Sequence, residues 1–165
     1  MNTLIAGLAV ALHLAAGAGA GQLTPTATAA PSPPYSSRVI ALAEAKAVVA
    51  AAQAEARKNG WTMTFVVLES NGQPVLLEKM DGTQYGSTDV AMRKAQTAAN
   101  FRRSTLVFQE AVKSGTLNAI FTGATAVEGG ELLLVDGKIV GAIGVSGGTA
   151  AQDGVVARAG QAVLK

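Results

Sequence analysis

Residues 128–165, EGGELLLVDGKIVGAIGVSGGTAAQDGVVARAGQAVLK, constrain the fold more than any other part of the chain. Asp136-Gly137 separates two apolar runs, 132–135 and 139–145, which is the pattern of a tight two-residue hairpin. Glycines recur at 137, 141, 144, 147 and 148, so backbone can approach backbone or a ligand closely along this strand. Thr149-Ala150-Ala151-Gln152 then fits a capping box, with a threonine hydroxyl and a glutamine side chain exchanging bonds at a helix start. A hairpin that runs directly into a capped helix is antiparallel sheet with a helix to cover it.

The same grammar holds upstream. Residues 39–59 read as an alanine-rich helix with Leu42, Val49, Ala52 and Ala56 near one face, stopped by Asn59-Gly60. Residues 62–69 alternate as a strand, and Ser70-Asn71-Gly72-Gln73 reads as a second two-residue hairpin signal, leading into a strand over 74–79. Met80-Asp81-Gly82 breaks it. Helices follow over 87–101 and 105–113, then a less regular stretch over 114–130. The order helix, hairpin, helices, loop, hairpin, helix makes a compact α+β domain.

Composition narrows the chemistry. Of the 165 residues 49% are apolar but only 4% aromatic, so the core packs through small side chains. The net charge of +2, from 13 basic and 11 acidic residues, gives no clustered basic surface for nucleic acid. There is no cysteine, which removes disulfides, thiolate nucleophiles and zinc–sulfur sites. Residues 1–37 carry no charged side chain, are apolar over 4–20 and Pro/Ala/Thr-rich after that. They read as a signal peptide and a disordered leader, with the domain over 38–165 and an exported, periplasmic or extracellular location. The single histidine, His13, lies in that leader. After its removal, serine–histidine catalysis and histidine-held metal or haem are all excluded.

Several groups remain as candidate chemistry. The glycines near the C-terminus lack G-x-G-x-x-G spacing and read as close packing, although Gly147-Gly148 could receive an anion at the following helix start. Arg93, Lys94, Arg102 and Arg103 are either a solvated face or a clamp for a carboxylate, to which arginine's fork is matched. Met80 at a strand exit and Tyr85 in the next loop are placed to meet a ligand; Met63 reads as core and Trp61 as packing behind the first helix. Among the carboxylates, Glu69 or Asp81 would be the base if the crevice turned over a small carboxylate-bearing metabolite, with an arginine as anchor.

Three strings carry a resemblance: ARKNGWTMTFVVLESNGQPVLLEKMDG, RKAQTAANFRR, and EGGELLLVDGKIVGAIGVSGGTAAQDGVVARAGQAVL. Over residues 40–165 the chain resembles the GlcG/HbpS family of haem-binding and haem-degrading-type domains. The resemblance implies a profilin-like fold, a five-stranded antiparallel sheet flanked by helices. It also implies homo-oligomers, octamers among them, with haem at subunit surfaces, and in secreted members a membrane sensor partner. Haem iron held by a loop threonine in the family maps to Thr125 first and Thr122 second, with Met80 as the alternative weak ligand. Phe121, Val127 and Tyr85 would then give apolar contact, and Arg93 or Arg102 would meet the propionates. Three positions depart from the family pattern. Glu131-Leu132 replaces valine–proline, and Gln96 replaces a basic residue.

Overall fold

The computed structural model describes residues 31–118 and 123–164. Its elements are α1 (Leu42–Lys58), β1 (Thr64–Glu69), β2 (Pro74–Lys79), α2 (Gly86–Phe101), α3 (Thr105–Lys113), β3 (Gly130–Val135), β4 (Lys138–Ser146) and α4 (Ala150–Gln161). The four strands form one antiparallel sheet in the order β2-β1-β4-β3. The α+β class follows, with four strands among the described residues where the resemblance implied five.

The two hairpins differ in their turns. Asp136 and Gly137 both take positive φ, 51° and 71°, and Val135 pairs with Lys138, so this is the expected two-residue turn. At the other hairpin the Gly72 amide donates to the Glu69 carbonyl, and Glu69 pairs across to Gln73. That leaves a three-residue loop ending in Gly72 at φ 87°, one residue longer than expected.

β1 is buried on both faces, not one. Phe65 and Val67 join Val48, Val49, Ala52, Val156 and Ala157 of α1 and α4, whereas Val66 and Leu68 meet Ala91 and Ala95 of α2. The sheet is therefore a middle layer, with α1 and α4 on one side and α2 on the other. Trp61 packs against the α1 side, as expected. The stripe of α1 that enters the core runs through Ala45, Val48, Val49, Ala52 and Ala56; Leu42, one turn earlier, is left 51% exposed.

α2 can lie this close because the strand beneath it is glycine at 144. A Cβ there would run into the Ala91 carbonyl and come within 2.7 Å of the Ala95 nitrogen. This is the close-packing use of the glycine-rich strand. Residues 34–40, just before α1, are hydrogen-bonded to the sheet. Ile139 donates to the Pro34 carbonyl at 2.9 Å, Ser36 donates to the Ile139 carbonyl at 2.8 Å, and Ile40 donates to Val140 at 2.8 Å. Residues 34–40 thus occupy the end of β4 that β1 does not reach; proline serves there because only its carbonyl is needed.

Candidate functional site

The exposed face of α2 and the segment over 123–125 enclose a half-open groove of about 420 Å³, within the range of small-ligand sites. Arg93, Gln96 and Asn100 recur along α2 at helical spacing and form one wall, Phe101 closes the end, and Thr125 faces them. One hydrogen bond fixes the two walls relative to each other: the Thr125 amide donates to Thr97 Oγ1 at 2.9 Å. Thr97 is itself buried on α2, so the loop is tied to a rigid element. Phe101 is held edge-on by Phe108 of α3, with ring centroids 5.2 Å apart at 71°.

The structure brings together two of the expected site residues, Arg93 and Thr125, in this groove. Met80 lines a second groove with Gln53, Arg57, Glu78, Lys79 and Asp81. Tyr85 stands 93% exposed, with the Lys79 ammonium 5.8 Å from its ring. Arg102 takes a left-handed conformation at the end of α2 and places its guanidinium 5.7 Å from the Tyr35 ring, outside the groove. Phe121 and Thr122 lie outside the described residues. Glu69 is engaged by the Asn71 side chain, and neither it nor Asp81 joins Arg93.

Lys94 does not belong with the solvent-facing cations. It is fully buried, donating to Asp153 Oδ2 at 2.6 Å and to the Val145 carbonyl at 3.0 Å. Its route passes Gly129, the residue before β3, where a Cβ would sit 2.9 Å from the ammonium. Burial pushes the Lys94 pKa down and the Asp153 pKa up, each opposed by the attraction of the other. Asp153 also accepts the Gly148 amide at 3.0 Å. The group received at this helix start is thus a carboxylate of the chain itself. The signal for all this was in the sequence, because Lys94 shares the sheet-facing side of α2 with Ala91, Ala95 and Ala98.

Beside this pair, Arg158 reaches Glu128 at 2.7 Å and Glu131 at 3.5 Å. Glu131 also accepts the Ser104 hydroxyl at 2.9 Å, which ties β3 to the N-cap of α3. The departure at Glu131 therefore forms an internal strut. Burial pushes its pKa up, against the Ser104 hydrogen bond and Arg158. An acid whose folded pKa is raised binds its proton more tightly when folded. Its contribution is therefore fully present below the ordinary carboxylate range and lost as pH rises through the folded pKa. Glu131→Gln, which keeps the acceptor for Ser104, is expected to melt higher than the parent at pH 7 by a few degrees, a shift worth about 1 kcal/mol in a domain of this size. The gap should close towards pH 4; thermal melts across that range, with an unchanged or widening gap at low pH, would contradict the assignment.

A family model described as haem degrading protein HbpS-like matches residues 40–162. The chain belongs to the HbpS-like family. This HbpS-like chain is 41% identical over 96 residues to protein GlcG of Escherichia coli K12, covering 57% of this chain and 71% of that one. Its fold is similar to that of a double mutant of HbpS from Streptomyces reticuli, with a TM-score of 0.71 at 28% identity over 98% of this chain and 99% of the other. A PduOC:haem complex shares the fold at a TM-score of 0.70 and 21% identity, over 77% and 96% of the two chains.

Proposed function

We propose that this chain is an exported, homo-oligomeric protein that binds haem or a related tetrapyrrole at a subunit surface, in the groove between α2 and residues 123–125. The observation that carries the reading is the convergence of Arg93, Phe101 and Thr125 on one groove in a member of the HbpS-like family. Their chemistry suits the organic part of the ligand. Arg93 offers a fork for a propionate, and Phe101, braced by Phe108, offers an aromatic face. For iron the described lining offers a neutral hydroxyl, that of Thr125. The groove is half-open, which leaves room for a second copy to cover the other face of a flat ligand.

The enzymatic alternative has less support. A base within reach of the anchored carboxylate would be needed, and no carboxylate is among the described residues that line the groove.

Hemin titration of the purified chain, followed by Soret absorbance, tests the reading. A saturable, red-shifted band is expected. Arg93→Ala should weaken binding about tenfold, the loss of one charge-assisted hydrogen bond. Thr97→Val, which frees the Thr125 amide while keeping the shape of the side chain, should also weaken it, and Thr97→Ser should restore it. Arg102→Ala should change nothing. Unsaturable binding, or equal affinity in the Arg93 and Arg102 variants, would remove haem from this groove.

A further inference from the structure

We propose that the groove recognises the porphyrin ring and its carboxylate rather than the metal, so that metal-free protoporphyrin IX binds about as tightly as haem. The inference rests on the tetrapyrrole reading above and sharpens its ligand class. Proteins that hold haem iron firmly do so with imidazole, thiolate, thioether or phenolate. None of these side chains is among the described residues that line the groove. The adjoining stretch over 119–122 reads Ala-Ile-Phe-Thr, which adds none. The chain has no cysteine, and its one histidine lies at position 13. Met80 belongs to the second groove, and Tyr85 stands on the surface beside Lys79.

What remains for iron on this face is threonine hydroxyl. One of the two in the described lining, that of Thr97, already accepts the Thr125 amide. A neutral hydroxyl is a weak donor to a metal compared with the ligands above. The ring and its acid groups, by contrast, find partners in Phe101 and Arg93. Haem and protoporphyrin present the same ring area and the same two propionates. With no strong axial bond to add, the metal contributes little to the difference between them.

Competition on one sample gives the answer. Protoporphyrin IX is titrated with the purified chain and followed by its fluorescence, and hemin is then used to displace it. Arg93→Ala serves as the control that separates groove binding from non-specific adsorption. The two dissociation constants should agree within about threefold, and Thr125→Val should change both by the same factor. Hemin binding more than about thirtyfold tighter than the metal-free ring would overturn the inference while leaving the tetrapyrrole reading intact. A Thr125→Val loss confined to hemin would overturn it equally. If neither porphyrin saturates, it is the tetrapyrrole reading itself that falls.

Discussion

Asp153→Ala is expected to destabilise the chain by about 3–5 kcal/mol, the cost of leaving a buried charge without its partner. Lys94 and Asp153 meet at 2.6 Å with their side chains 1% and 3% exposed, so solvent cannot replace what is lost. The remaining acceptor for the ammonium is the Val145 carbonyl, which carries no charge to offset that of the lysine. Burial already lowers the Lys94 pKa, and removal of the attraction that opposes it drives the group further towards the neutral amine. Replacing both partners by apolar side chains, as Lys94→Met with Asp153→Leu, should cost far less than the single change, because no charge is stranded. Urea unfolding followed by Trp61 fluorescence measures both, and the pair forms a coupling test. A single-variant cost below about 1 kcal/mol would show that the pair does not clamp α2 to α4.

How much of this was legible beforehand divides along a physical line. The type of each element, the Asp136-Gly137 turn and the Thr149–Gln152 capping box are encoded over four or five neighbouring residues, and all appear where the sequence puts them. The hairpin at Gly72 slipped by one residue because Asn-Gly is compatible with two loop lengths, and strand pairing decides between them. Lys94 departs from a solvated face for a different reason. Its charge suggested solvent, while its position on α2 among Ala91, Ala95 and Ala98 put it in the core, and the distant Asp153 decided in favour of the core. The groove is non-local in the same sense. Thr97 and Thr125 are 28 residues apart, and nothing local says that one hydroxyl will take the other's amide. Arg93 and Arg102 looked equivalent as carboxylate clamps. The left-handed turn at Arg102 sends the second towards Tyr35.

Gly144→Ala tests the layer that holds the groove in place. An added Cβ would strike the Ala91 carbonyl and crowd the Ala95 nitrogen at 2.7 Å, and both are helix backbone that cannot rotate away. α2 would have to lift from the sheet, loosening its contact with Val66 and Leu68 on β1. The expected cost is about 3 kcal/mol, at the upper end for overpacking, since no flexible side chain can yield. Gly86→Ala makes the matched control. Nothing lies within 4 Å of its Cβ position and its φ is not in the left-handed region, so it should be neutral or gain about 0.5 kcal/mol. Because Arg93, Thr97 and Phe101 all ride on α2, Gly144→Ala should also weaken hemin binding without touching the groove. Loss of stability with full affinity would mean that the groove does not depend on how α2 is seated, and the ligand contacts would then have to be sought elsewhere.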